Sequence, residues 1–290
     1  MKSFNQWSIT RRLLYSLASI AFVLSASVVL ATQHSEAVSR GEYIFHISGC
    51  ASCHTKNQSL AGGVELETPF GTFISPNISP DNQFGIGGWT DDEFVSAMRD
   101  GVSPEGEHYY PAFPYTSYAN IPTQDLLDLK SYLDEQEPIS EPTQSHQLSF
   151  PFNQRRLLGI WKMLNTSPMW APDVNQSKLW NRGSYLVNGP SHCVQCHTPR
   201  NLIGGMQDAG MIGNENGPEG EKVPPLLDVN KSGFGLWNKE DIEFSLAIGM
   251  KPDGDFMGGS MSHVLENTTG KMTEEDIKAI AHYLYSLNNP

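Results

Sequence analysis

Two five-residue stretches decide how this chain is read: Cys50-Ala51-Ser52-Cys53-His54 and Cys193-Val194-Gln195-Cys196-His197. They take up all four cysteines of the 290 residues and two of the nine histidines. Thiols three positions apart stand about one helical turn from each other, and a histidine follows each pair at once. That spacing is the pattern of c-type haem attachment. Both thiols form thioethers with the vinyl groups, and the adjacent imidazole gives a nitrogen to iron. A structural zinc site would need four ligands, with pairs roughly a dozen residues apart. Here about 140 residues separate the pairs, each with its own histidine. A thioredoxin-like redox motif wants a βαβ context, and two disulfides would leave the histidines without a role. The expected cofactors are two covalently bound haem c groups, held by Cys50, Cys53, His54 and by Cys193, Cys196, His197.

The surroundings of the two stretches repeat as well. Arg40-Gly41-Glu42-Tyr43-Ile44 precedes the first, and Arg182-Gly183-Ser184-Tyr185-Leu186 precedes the second. Trp89 stands twelve residues before Gly101, as Trp237 does before Gly249. Helical patterns close each copy, over Thr123–Leu133 and Thr273–Leu287. Thr90 with Glu93 and Thr273 with Asp276 read as capping boxes, Asn238 as an N-cap, and Gly101 and Gly249 as helix stops. Strand signals are sparse. The reading is an all-α chain with long loops: one unit over 38–138, a second over 179–290, and a Pro/Gln/Ser-rich extended linker over 139–178. Tyr43 with Tyr132, and Tyr185 with Tyr283, are expected to fix the contact between first and last helices of each unit.

Composition narrows the function. A net charge of −13 argues against nucleic acid, whose phosphates recruit Lys and Arg. Four cysteines are too few for a disulfide scaffold of this length. Lys2, Arg11 and Arg12 precede an uncharged apolar run from Leu13 to Ala31. That is the form of an export signal, with Ser35-Glu36-Ala37 as a cleavage site, and the run is also just long enough for a membrane anchor. Residues 1–37 are therefore expected to be a signal peptide or anchor, with the remainder in the periplasm.

Ungapped alignment on the two glycines sets Gly101–Phe113 against Gly249–Met261. Met261, in a loop before the last helix, is the expected sixth iron ligand of the second haem, with Met257 as runner-up. A His/Met haem has a raised potential. Phe113 holds the equivalent position in the first half and binds no iron. Met98 and His108 are the alternatives there, with His108 preferred, and if neither binds the first haem is open to small ligands. Trp89 and Trp237 carry indole donors suited to haem propionates, and Arg200 a guanidinium that could pair with one.

With Arg40-Gly41-Glu42-Tyr43, Thr68-Pro69-Phe70-Gly71-Thr72, Asn77-Ile78-Ser79-Pro80-Asp81, Gly85-Ile86-Gly87-Gly88-Trp89, Tyr110-Pro111-Ala112-Phe113-Pro114-Tyr115, Trp180-Asn181-Arg182-Gly183 and Cys196-His197-Thr198-Pro199-Arg200-Asn201, most of 39–290 resembles one family. It is the dihaem or multihaem c-type cytochrome subunits of bacterial membrane-associated alcohol, gluconate and aldehyde dehydrogenases. The resemblance implies tandem cytochrome c-like domains that carry single electrons. The donor would be a dehydrogenase subunit, and the acceptor a terminal oxidase, quinone or another cytochrome. Two departures stand out: alcohol-oxidising members commonly carry three haem sites, and many have Met where Phe113 stands. An open first haem would instead suit a small dihaem enzyme, such as a peroxidase or a sulfur-compound dehydrogenase.

Overall fold

Helix ends are where this sequence speaks most plainly, and the computed structural model follows them. It describes residues 29, 31–57, 59–165, 170–228 and 230–289. A first helix, α1 (31–47), turns through Gly49 in the left-handed region into the short α2 (Cys50–His54). Next come α3 (Asp91–Asp100), α4 (Tyr115–Tyr118) and α5 (Thr123–Asp134). Thr90 and Glu93 close a full capping box on α3, and Gly101 ends it at φ 60°. The same order returns with α7 (Lys178–Asn188), α8 (Cys193–His197), α9 (Lys239–Ile248), α10 (Ser260–Asn267) and α11 (Glu274–Asn288). Asn238 and Asp241 box the start of α9, and Gly249 stops it at φ 76°. Each such cap contributes about 1 kcal/mol.

The chain is not wholly helical. Glu65–Thr68 (β1) pairs antiparallel with Gly71–Ile74 (β2), and Gln147–Leu148 (β3) adds to the far edge of β2. Strands of four, four and two residues are too short for alternation to announce them. Gly71, at φ 123°, permits the close approach: a Cβ there would meet the Gln147 carbonyl oxygen at 2.3 Å. The stretch 139–178 is likewise not extended throughout. It supplies β3 and then a nine-residue helix, α6 (Leu157–Asn165).

First and last helices of each half cross at a glycine. A Cβ on Gly41 would stand 1.9 Å from the Asp128 carbonyl oxygen, and one on Gly183 would stand 2.0 Å from that of Ala279. Tyr132 and Tyr283 lie beneath these crossings, but Tyr43 and Tyr185 do something other than expected. Their hydroxyls reach into the opposite half. Tyr43 donates to Asp276 on α11 at 2.7 Å, and Tyr185 donates to Asp125 on α5 at 3.0 Å. The exchange is reciprocal, as in a twofold contact. Asp276 also takes a bidentate pair from Arg182, whereas Arg40 turns to Asp128. Both halves share one core, in which Ile44, Ile47, Leu126 and Leu129 join Leu186, Val187, Ile280 and Leu284.

The expected leader falls almost wholly on residues 1–28 and 30, outside those described. Its proposed cleavage point, Ser35-Glu36-Ala37, lies within α1. Among the described residues, no helix is long and apolar enough to cross a membrane.

Candidate functional site: two attachment segments face to face

Each Cys-x-x-Cys-His stretch forms one short helix entered through a left-handed residue, Gly49 at φ 64° and His192 at φ 38°. A single turn puts both thiols of a pair on one side and carries the histidine just past them. His54 Nδ1 donates to the Pro76 carbonyl at 2.9 Å, and His197 Nδ1 donates to that of Pro224 at 2.7 Å. A carbonyl only accepts, so the proton sits on Nδ1 and Nε2 keeps its lone pair. Burial lowers the pKa of both imidazoles. A neutral ring, oriented through its other nitrogen, is what an iron ligand needs.

The thiols suit thioethers better than thiolate chemistry. Burial pushes Cys50 and Cys193 up to about 12 and raises Cys53 and Cys196, opposite to the lowered values of reactive cysteines. Among the described residues no three His, Cys, Asp or Glu side chains gather to hold a metal ion, as zinc would require. Orphaned polar atoms also mark both segments. Ser48 Oγ and Ser191 Oγ, each two residues before the first cysteine of its pair, are buried with no partner among the described residues. Buried polar groups normally find one, so both sites fit a further bound group.

Around these helices the two halves interlock. Gln195 of α8 donates to Thr116 Oγ1 and Ser117 Oγ of α4, at 2.9 and 2.7 Å. On the other side, Thr268 at the end of α10 abuts Gly49, with Oγ1 3.0 Å from where a Cβ would be. The Ser48 carbonyl accepts from the Tyr118 hydroxyl at 2.9 Å and lies 3.3 Å from His192 Nε2. Cys53 is raised first by burial and then by the charge of Cys196. The attachment helices therefore lie close to one another.

The other candidate residues fall into place unevenly. Among the described tryptophans, Trp161, Trp170 and Trp180 spend their indole N–H on protein acceptors. Trp89 and Trp237 have no acceptor for their indole N–H among the described residues, so either could donate to a bound group. Arg200 is half-buried near Cys196 and has no carboxylate partner among the described residues. Its amino groups donate to Gly204 O and to both the carbonyl and side-chain oxygens of Gln195. These acceptors are all neutral, so the guanidinium has no counter-charge among the described residues.

The two loops after α3 and α9 match bond for bond. Val102 bridges His108 as Met250 bridges Phe256. Tyr109 N donates to Gly101 O as Met257 N does to Gly249 O, at 2.7 and 2.8 Å. Phe256 is thus the counterpart of His108. Met261 sits in the first turn of α10 rather than in a loop. Phe113 packs on Tyr109 and Tyr118, and Met98 is buried in the shared core. His108 is engaged elsewhere: Nδ1 lies 3.1 Å from Lys162 Nζ, and Nε2 lies 3.2 Å from where a Gly159 Cβ would be. It could become an iron ligand only by leaving α6. Sequence reasoning missed α6, the role of Gln195 and His192: Gln195 holds a variable position of the second motif, and the other two lie outside the motif.

Residues 181–288 match the family model described as Cytochrome c. The chain is 46% identical over 253 residues to a diheme cytochrome c-type protein of Cereibacter sphaeroides, covering 85% of this chain and 84% of that one. It is 36% identical to the fructose dehydrogenase cytochrome subunit of Gluconobacter japonicus, over 89% of this chain and 54% of the relative. It is also 36% identical to the alcohol dehydrogenase (quinone) cytochrome c subunit of Gluconacetobacter polyoxogenes, over 95% and 62%. The chain thus spans most of the first relative and only about half to three-fifths of the other two. Two covalently bound haem c groups follow from the two attachment segments and these relatives. The chain belongs to the family of dihaem c-type cytochromes whose members include the cytochrome subunits of dehydrogenases.

Proposed function

We propose that this protein is a periplasmic carrier, built as two cytochrome c domains, that takes single electrons from a dehydrogenase subunit. It passes them towards the respiratory chain, to a terminal oxidase, a quinone or another cytochrome. Haem c supplies the one-electron couple when bound. The rest is the work of the chain. Cys50, Cys53, Cys193 and Cys196 tether the groups, and His54 and His197 present Nε2. Met261 completes the second site, Trp89, Trp237 and Arg200 meet propionates, and the shared core keeps water out.

The observation that carries this reading is the reciprocal packing of the two attachment helices. The helix after each sixth-ligand loop, α4 or α10, lies against the other half's attachment segment. Groups tethered to these two segments would be held near each other in a rigid frame, which a relay needs and two independent sites would not. One feature favours a small dihaem enzyme instead: Phe113 offers no ligand and His108 is held by α6.

A potentiometric titration followed by optical spectra separates the two. A carrier shows two one-electron steps, and its ferric haems keep their spectra when cyanide or peroxide is added. A high-spin ferric signal that shifts with either reagent and turns over peroxide would replace the carrier with the enzyme.

A further inference from the structure

The second attachment site has a hold that the first lacks. Segment 213–224 leaves His197 and returns to it. Gly213 N donates to the His197 carbonyl at 2.8 Å, and the Pro224 carbonyl accepts from His197 Nδ1 at 2.7 Å. Between these ties Asn214 and Val223 exchange both backbone hydrogen bonds, at 3.0 and 2.8 Å, and Gly217 N donates to Glu221 O at 2.8 Å. The loop closed in this way carries Glu221 to the start of α10, 39 residues further on. There Glu221 Oε2 accepts from Ser260 N at 2.9 Å and from Ser260 Oγ at 3.1 Å. Met261 is the next residue of the same turn.

Helix α10 cannot cap itself. Its N-cap is Gly259, at φ 58° and ψ −144°, with no side chain to offer the first-turn N–H groups. A carboxylate brought from elsewhere supplies the missing acceptor and meets the positive end of the helix dipole. A Cβ on Gly259 would stand 2.2 Å from Glu221 Oε1, so the glycine also makes room for the acid. The far end of α10 is placed separately, by Thr268 against Gly49. The first half gives the contrast. His54 uses the Pro76 carbonyl as His197 uses that of Pro224, and three residues before those prolines stand Phe73 and Glu221. Phe73 packs on Tyr110 and His146 and offers no charge. The acid hold thus occurs in the half whose loop carries Met261 and is missing from the half that carries Phe113.

We propose that Glu221 is a positioning residue of the second haem. Through Ser260 it fixes the first turn of α10, and with it Met261, so that one loop sets both the histidine and the methionine. This role rests on Met261 being the sixth ligand. A methionine held in this way resists displacement. When the turn loosens, the sulfur is away from iron for a larger share of the time, and a competing ligand gains apparent affinity in proportion. The potential falls at the same time, because His/Met ligation is what raises it.

The test titrates ferric holoprotein with imidazole and follows the weak red-edge absorbance band that a methionine sulfur gives ferric haem c. Met261→Ala should remove the band of the second haem and so identify it. In Glu221→Ala that band should bleach at an imidazole concentration about fivefold lower than in the wild type, the size of one lost helix cap. Glu221→Gln keeps an acceptor oxygen and should stay within about twofold of the wild type. Thr90→Ala loses a cap of the same kind on α3, in the other half, and should leave the titration unchanged. Glu221 is exposed, so its replacement leaves the core intact. A Glu221→Ala titration that matches the wild type overturns the role of Glu221 while Met261 stands. So does a Thr90→Ala shift as large as that of Glu221→Ala, which would mean that stability alone is read, or a Glu221→Gln variant no better than Glu221→Ala. A band untouched in Met261→Ala removes Met261 as ligand and takes this role with it.

Discussion

Replacing Asp276 by asparagine should cost far more than the same change at its counterpart, Asp125. Asp276 accepts from Arg182 Nε and Nη2 at 2.7 and 2.6 Å and from the Tyr43 hydroxyl at 2.7 Å, and its side chain is 8% exposed. An asparagine presents an amide donor to these donors and leaves Arg182 without its counter-charge. Breaking a buried ion pair costs about 3–5 kcal/mol. The Arg182 side chain is 39% exposed, so solvent recovers part of it, and about 3 kcal/mol is expected. Among the described residues Asp125 accepts only the Tyr185 hydroxyl, which an asparagine oxygen also does, so the change there should stay below about 1 kcal/mol. Urea unfolding of the holoprotein, followed by far-ultraviolet circular dichroism, measures both. The Asp276→Asn midpoint should fall by about 1 M. Equal losses at the two positions would refute the asymmetry read from Arg182.

The same carboxylate sets a pH dependence. Burial pushes the Asp276 pKa up, but the hydrogen bonds from Arg182 and Tyr43 outweigh it and leave the group below its ordinary 3.8. A depressed folded pKa stabilises fully above the unfolded value and is lost as pH falls through the folded one. The wild-type advantage over Asp276→Asn should therefore hold at neutral pH and vanish in acid below 3.8. Gly183→Ala forces a methyl against the Ala279 carbonyl and should cost about 3 kcal/mol. Gly258→Ala, with nothing within 4 Å, should be near neutral in the same unfolding assay. Met261→Ala should turn the ferric second haem high-spin and open it to cyanide, and an unchanged spectrum removes Met261 as ligand. Trp89→Phe and Trp237→Phe should shift the haem potentials, whereas unchanged potentials would return both indoles to a packing role.

What the sequence made legible was local. The capping boxes at Thr90 and Asn238, the left-handed stops at Gly101 and Gly249, and the ungapped match of the loops that follow all rest on residues a few positions apart. Thr273 shows the limit of such reading. Its hydroxyl does cap Asp276 N, but the Asp276 carboxylate leaves the box for Arg182 and Tyr43, across 94 and 233 residues. No spacing rule reaches that far. The sheet was hidden because its strands are short and β3 arrives from the linker. Helix α6 was hidden because its apolar outer stripe and Lys162 side obey no ordinary surface pattern. The candidate site divides the same way: cysteines and histidines follow from the motif, whereas the hold of Gln195 on Arg200 and the engagement of His108 come from side-chain contacts that no motif announces.

One measurement bears most directly on the whole account. Protein matured with working haem-attachment machinery is digested, and the peptides containing residues 50–54 and 193–197 are weighed. Each should carry the mass of one iron porphyrin joined through two thioethers. Either peptide recovered at its bare mass, with free thiols at Cys50 and Cys53 or at Cys193 and Cys196, would contradict it.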